Sequence, residues 1–311
     1  MKKRFWICLL AGCALTAHAE ERDADGSLSL VNARGVVLKP SDDELSFPFV
    51  NSTTAPKLHS SIALVYDQKT QRPLYTKNPD ALAPIASITK LMTAMVVLDA
   101  KLPLEEKITI DKDDIDRLKG THSRLRVGSS FTRGELLKLA LMASENRAAT
   151  ALARTYPGGM DAAIAAMNVK ARNLGMKDTR FLDPSGLNSE NVSTARDLVK
   201  MVAATREYDA IQEYTTAASH SVDRRRGGAL RFVNTNPLVR NGSWDIGVSK
   251  TGYISEAGRC LVMEAKINHR PVIIVLLDSW GKFTRVGDAN RIKKWMESNS
   301  AYGRTSRITP S

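Results

Sequence analysis

The chain has 311 residues, with 45 Lys and Arg against 33 Asp and Glu, a formal charge of +12. At 43% hydrophobic and 25% charged it carries enough apolar side chain to bury a core, which excludes wholesale disorder, and its length fits one large domain or two interleaved lobes. With three cysteines, two of them Cys8 and Cys13, a disulfide scaffold is excluded, and no solenoid or coiled-coil repeat is found.

In chain order, Lys2, Lys3 and Arg4 precede an apolar run from Phe5 to Leu15, and Ala17-His18-Ala19 has the small-x-small pattern of a cleavage site. The pattern predicts an export leader over 1–19, with the mature chain starting near Glu20. The apolar run is too short to span a bilayer. Leu10-Ala11-Gly12-Cys13 offers a competing reading as a lipoprotein box with lipid on Cys13, but the apolar character continues to Ala19, which favours cleavage there. Removing the leader takes away three basic residues and no acid, lowering the charge to +9. In an exported protein such a surplus fits an anionic polymer or phosphate head groups, and peripheral or lipid-mediated membrane association, better than nucleic acid. No zinc-finger spacing is present, and Arg224-Arg225-Arg226 followed by two glycines reads as a solvated turn.

Residues 20–57 lack sustained periodicity and read as an extended arm or linker. Ser61 to Asp67 is predicted as a strand, with Pro73 to Lys77 its hairpin partner. From Ser87 to Ala100 apolar residues occur all round the helical wheel, so this helix is expected to be buried. Helices follow over 134–142, 146–156 and 161–174, broken at Ser144-Glu145 and at Pro157-Gly158-Gly159. Thr194, with Asp197 three residues on, marks an N-cap for a helix to about Thr205. Strands are predicted at 245–253, 260–267 and 272–278, and a last helix at 285–298, followed by a tail over 299–311. Strands at both ends with helices between predict a mixed α/β (α+β) fold, one antiparallel sheet closed by both ends of the chain with an inserted helical lobe.

Three strings carry the chemistry. Ser87-Ile88-Thr89-Lys90 is S-x-x-K at the start of the buried helix, so hydroxyl and amine share one face. A serine needs a base, and a lysine serves if burial and a second cation hold it neutral. Lys250 in Lys250-Thr251-Gly252 is a candidate second cation; Thr251 offers a hydroxyl to a substrate carboxylate, and Gly252 permits close approach of a substrate backbone. Ser144-Glu145-Asn146 could supply a relay hydroxyl and an amide. Each string is cheap alone: Ser279-Trp280-Gly281-Lys282 also matches the first and Ser189-Glu190-Asn191 the second, and background composition yields about one S-x-x-K but only about 0.1 K-T-G. Only the set at 87, 144 and 250 places them at a buried helix start, between two helices and on a late strand.

With these strings the chain resembles the penicillin-binding and serine β-lactamase superfamily, and within it the low-molecular-mass D-Ala-D-Ala peptidases. The resemblance is carried by the stretches Pro84 to Ala94, Leu141 to Ala149 and Asn191 to Leu198, and extends over about 60–298. It implies a helical lobe against a five-stranded antiparallel sheet in a β-lactamase/transpeptidase-like domain over 58–298. It also implies Ser87 as acylated nucleophile, Lys90 as general base, Ser144 in the proton relay, and Asn146, Lys250, Thr251, Gly252 and Tyr253 as substrate-binding residues. The backbone N–H groups of Ser87 and Tyr253 would form the oxyanion hole. The substrate implied is peptidoglycan peptide in the periplasm, with β-lactams as trapping ligands and no cofactor. Carboxypeptidase relatives carry a C-terminal β-domain and membrane anchor that do not fit after residue 298, which favours the endopeptidase branch over trimming of pentapeptide stems.

Other readings fare worse. Asp183-Pro184 followed by Leu187-Asn188 faintly resembles the loop in which a class A β-lactamase carries its deacylating glutamate, but the shorter acid in a different frame reads as a turn. No G-x-S-x-G elbow supports a Ser-His-Asp hydrolase, and the five histidines lack metal-ligand spacing, so no metal is expected. Cys260, inside a predicted strand, reads as a core residue. A non-catalytic wall-binding regulator would show a damaged motif, and all three motifs are intact.

Overall fold

The structure is a computed structural model that describes residues 55–223 and 228–298, together with the backbone of 19–22, 28–31, 37–38 and 299–305. The expected leader with Cys13, except Ala19, and the turn at Arg224–Arg226 lie outside the described residues.

Strands β1 (Ala19–Arg22), β2 (Leu28–Val31) and β3 (Val37–Leu38) make a small antiparallel sheet within the unit 1–39. The stretch read as an extended arm therefore contains paired strands, too short for their alternation to stand out in the sequence.

The unit from residue 40 onward is built on a five-stranded antiparallel sheet. Strands β4 (Ile62–Asp67) and β5 (Arg72–Lys77) form the predicted hairpin. A two-residue strand, β6 (Ala83–Pro84), leads through a short 3-10 turn at Ala86–Ile88 into α1 (Thr89–Asp99). The helical lobe follows: β7 (Lys107–Thr109) paired with β8 (Ser130–Thr132), then α2 (Arg133–Met142), α3 (Asn146–Arg154) and α4 (Gly159–Asn173). Helix α2 opens on a reciprocal capping box, the Thr132 hydroxyl accepting from the Glu135 N–H and the Glu135 carboxylate from the Thr132 N–H. Strand β9 (Val192–Ser193) pairs back with β6. Thr194 then caps α5 (Ala195–Ala204) as its sequence predicts, accepting from the Asp197 N–H at 3.2 Å. Next come α6 (Asp209–Thr216), the hairpin β10 (Ser219–Asp223) and β11 (Ala229–Val233), and the one-turn α7 (Pro237–Arg240). The chain returns to the sheet through β12 (Asp245–Ile254), β13 (Gly258–Ile267) and β14 (Arg270–Ser279), and ends in α8 (Thr284–Thr305), which runs past the predicted end at 298.

The sheet order is β12-β13-β14-β4-β5, so strands from both ends of the chain close it. Period-2 alternation serves both faces. Ala63, Val65, Leu261, Met263, Val272, Ile274 and Leu276 form one core with Ala289, Ile292 and Met296 of α8. The opposite parity (Ile62, Leu64, Val262, Ile273, Val275, Leu277) is equally buried, on the face against which α5 packs. At roughly 1.5–3 kcal/mol per buried aliphatic side chain, this double-sided burial makes β4, β13 and β14 a firm backing for β12, the edge rail of the sheet, which pairs with β13. Among the described residues no helix is long and apolar enough to cross a membrane.

Candidate active site

Ser87 sits at the junction between β6 and α1, held from three sides. The Ile85 N–H donates to the Asn191 carbonyl at 3.0 Å, extending the β6–β9 pairing. Ala86 adopts φ +48°, an uncommon left-handed conformation for a residue with a side chain. Two glycines pack against this turn. A Cβ on Gly252 of β12 would lie 3.1 Å from the Ser87 nitrogen, and one on Gly186 would lie 1.8 Å from the Ala86 carbonyl oxygen. The nucleophile turn is thus pinched between a sheet edge and the 183–188 loop; glycine is a steric requirement at 186, where a Cβ would overlap backbone, and at 252 a Cβ would be a tight fit.

One helical turn on, Lys90 is 1% exposed, in a helix whose neighbours Leu91, Met92, Ala94 and Met95 are buried as predicted. Its Nζ lies 2.8 Å from Ser87 Oγ, 2.7 Å from Asn146 Oδ1 and 2.6 Å from the Ser185 carbonyl. Burial pulls its pKa down from the usual lysine value to about 7, against the attraction of Asp183, Glu145 and Asp116. The neutral amine retains two N–H donors, enough for Asn146 and Ser185, and leaves its lone pair for the Ser87 hydroxyl.

Ser144 occupies the break between α2 and α3 at φ +59°. This places its Oγ 2.9 Å from the Nζ of Lys250, a second lysine 1% exposed. Burial, and then the charges of Lys90 and Arg285, push the Lys250 pKa well below its ordinary value. The Thr251 hydroxyl donates to Thr235 Oγ1 at 2.6 Å, while Asn146 Nδ2 donates to Thr121 Oγ1 at 2.9 Å. Ser87, Ser144, Asn146, Thr251, Gly252 and Tyr253 face one cleft of about 470 Å³. Tyr253 is 57% exposed at its rim, under the Arg259 guanidinium at 4.5 Å from the ring centre. Every predicted site residue therefore converges here, Lys90 and Lys250 from beneath the cleft floor.

The alternative matches fall elsewhere. Ser279 is buried with its Oγ 2.7 Å from Ser60 Oγ, and Lys282 lies over the Phe283 ring. Asn191, from the second S-x-N, is a buried brace: its Oδ1 accepts from the Leu182 and Asp183 N–H groups, and its Nδ2 donates to Thr89 Oγ1 and the Asp183 carbonyl. Asp183 is a turn residue, its carboxylate accepting from the N–H groups of Ser185, Gly186 and Asn188, so the loop presents the Ser185 carbonyl to Lys90. Cys260 is a buried member of β13.

Sequence reasoning missed the Ser185 carbonyl, Gly186, Thr121, Thr235 and Arg285. Arg285 lines the cleft and donates weakly to the Gly252 carbonyl at 3.4 Å. It also missed an ion pair of Lys119, on the loop after Asp116, with Glu256 of the β12–β13 turn. This pair joins two walls of the cleft and holds the Glu256 carboxyl at a pKa of about 2. Of these positions only the Asp183-Pro184-Ser185-Gly186 turn has a local signature.

Residues 49–281 match the D-alanyl-D-alanine carboxypeptidase family. The chain is 51% identical over 243 residues to a D-alanyl-D-alanine endopeptidase of Pseudomonas aeruginosa, covering 78% of each. It is 48% identical over 250 residues to one of Escherichia coli, covering 79% of this chain and 81% of that one. A solved mutant of the Streptomyces K15 DD-transpeptidase, 31% identical, superimposes with a TM-score of 0.72 over 79% of this chain and 100% of the other.

Proposed function

The chain belongs to the D-alanyl-D-alanine carboxypeptidase family, and on that premise we propose that it is a serine D-Ala-D-Ala endopeptidase, cutting the D-Ala–diaminopimelate cross-links of peptidoglycan. The observation that carries the reading is the buried Lys90 amine, near neutrality in pKa and 2.8 Å from Ser87 Oγ. Identities of 51% and 48% to proteins named endopeptidase favour cross-link cleavage over trimming of pentapeptide.

Ser87 Oγ attacks the D-alanyl carbonyl as its proton passes to the neutral Lys90 Nζ. The oxyanion forms beside the N–H groups of Ser87 and Tyr253, where Gly252 lets the strand run close to the nucleophile. Collapse breaks the C–N bond, and the departing amine takes the proton that Lys90 received from Ser87, relayed through Ser144, whose Oγ accepts from Lys250 Nζ at 2.9 Å. Asn146 serves two parts, accepting from Lys90 and presenting its amide to the substrate backbone. Thr251 and Arg285 supply the hydroxyl and charge for the carboxylate of the leaving residue. Water then attacks the ester, Lys90 accepting its proton and the proton returning to Ser87. No cofactor enters these steps. A β-lactam presents the same carbonyl and leaves Ser87 acylated.

The domain lies over 58–298 and acts in the periplasm; Lys2-Lys3-Arg4, the apolar run and Ala17-His18-Ala19 support export with cleavage after Ala19.

Mass spectrometry of the mature protein with cross-linked muropeptide dimers and monomeric pentapeptide tests the reading. Dimers are expected to fall to monomers while pentapeptide survives. Loss of one D-alanine from pentapeptide with dimers intact would make the enzyme a carboxypeptidase. Labelled penicillin is expected to attach to wild type and not to Ser87→Ala or Lys90→Ala; failure of wild type to label would leave a non-catalytic wall-binding protein.

A further inference from the structure

The large apolar side chains that stay exposed among the described residues include three aromatics: Tyr253 at 57%, Trp280 at 59% and Phe283 at 65%. All three fall at one corner of the sheet. Tyr253 of β12 is opposite Arg259 of β13, and Arg259 is opposite Ser279 of β14, the residue before Trp280. Two strand spacings of about 4.8 Å put Ser279 roughly 10 Å across the sheet from Tyr253. A second contact places the 280–284 turn independently: Arg285, the next residue, reaches the Gly252 carbonyl, and Gly252 packs against the Ser87 nitrogen. Gly281, at φ +82°, bends the turn between Trp280 and Phe283. Cations fringe the corner, with Arg259 over the Tyr253 ring at 4.5 Å and Lys282 over the Phe283 ring at 5.5 Å.

Exposed aromatics grouped beside a cleft mark a contact surface, and flat rings stack on the C–H faces of pyranose sugars. We propose that the corner formed by Tyr253, Trp280 and Phe283 docks the N-acetylhexosamine strand from which the scissile peptide hangs. This rests on the peptidoglycan reading above. A stem of four residues spans on the order of 14 Å when extended, so when its D-alanyl carbonyl is at Ser87 the attached glycan comes within range of this corner. The fringe of cations suits the carboxylates of neighbouring stems. A bilayer is the less fitting occupant, because Tyr253 lines the cleft itself and lipid seated there would cover the mouth through which the peptide enters.

The test compares mature wild type with Trp280→Ala/Phe283→Ala and Trp280→Tyr/Phe283→Tyr. Binding is measured to peptide-free glycan strands and to phosphatidylglycerol vesicles, and cleavage on soluble muropeptide dimers and on intact sacculi. The alanine pair is expected to bind glycan at least tenfold more weakly. It should keep penicillin acylation and dimer turnover within twofold of wild type, and should raise KM on sacculi without lowering kcat. The tyrosine pair should retain glycan binding, and Ser87→Ala should bind glycan as wild type does. Equal glycan binding by wild type and the alanine pair would overturn the proposal, as would a loss confined to vesicle binding. Glycan binding without acylation or dimer cleavage would instead remove the peptidase reading and leave the docking surface standing.

Discussion

Lys90 and Lys250 are both 1% exposed, an arrangement that costs stability and supplies a base. Water solvates an ammonium better than the interior of a protein does, so burial favours the neutral amine, and the charge of Lys90 is among the causes lowering Lys250. With the Lys90 pKa at about 7, its neutral fraction rises roughly tenfold between pH 6 and pH 8. The second-order rate of penicillin acylation should rise by about that factor over the range; a flat profile would remove Lys90 as base. The same shift has a consequence for folding. The unfolded lysine holds its proton up to pH ~10.5, whereas the folded one releases it near 7. Between those values the unfolded state binds more protons, so stability rises with pH, and the burial penalty is largest below pH 7. Lys90→Met should therefore be inactive; it removes the ammonium's burial penalty but leaves Asn146 Oδ1 and the Ser185 carbonyl without that donor, so the stability difference should favour the mutant most at pH 6. That difference should shrink at pH 9, as read from urea unfolding at both values.

The turn that carries Ser87 is shaped by what packs on it. The turn before α1 sets Ser87 at the cleft over the buried Lys90 because β6, β9 and the 183–188 loop hold the helix entrance, and β12 presses on it from the other side. The two close contacts differ in how strictly they need glycine. Gly186 has φ +80°, and its Cβ would overlap the Ala86 backbone, which cannot yield without unseating the nucleophile. Gly186→Ala should cost at least about 2–3 kcal/mol of stability and most of the acylation rate. At Gly252 the clash is milder, 3.0 Å to Ala86 Cβ and to the Ile85 carbonyl. Gly252→Ala should leave the melting temperature within a few degrees while slowing acylation about tenfold or more. Equal acylation by Gly252→Ala and wild type would show that the rail does not position Ser87.

Across the molecule, both ends of the domain are tied by one buried carboxylate. Asp288 of α8, 0% exposed, accepts from the His59 N–H at 3.1 Å, the Ser60 N–H at 2.7 Å, Ser60 Oγ at 2.6 Å and Arg291 Nη1 at 2.6 Å. Ser60 Oγ in turn lies 2.7 Å from Ser279 Oγ at the end of β14. This network fastens the entry to β4 against the last strand and the last helix, closing the sheet whose edge strand carries Lys250 and Thr251. Asp288→Ala would strand several buried donors, and a loss of about 2–4 kcal/mol is expected in denaturant unfolding. Asp288→Asn should recover part of it, because its carbonyl still accepts.

Patterns repeated over several residues were legible in the amino-acid order. Apolar runs marked β4 and β14, all-round apolarity marked α1 as buried, and Thr194 with Asp197 marked the start of α5. The S-x-x-K, S-x-N and K-T-G strings named seven residues that the fold brings to one cleft, and the resemblance added Tyr253. Short pairings escaped: β6 with β9, and β7 with β8, involve two or three residues each and have no readable period. Single contacts escaped too. The Ser185 carbonyl reaches Lys90 across 95 positions of chain and Lys250 reaches Ser144 across 106, while Thr121, Thr235 and Arg285 take their places only once loops pack. Periodicity records which face of an element leaves water, so a sequence states it in advance. The partner of one buried amine is chosen by whichever carbonyl or hydroxyl the packed chain delivers to it, and that depends on every element between them.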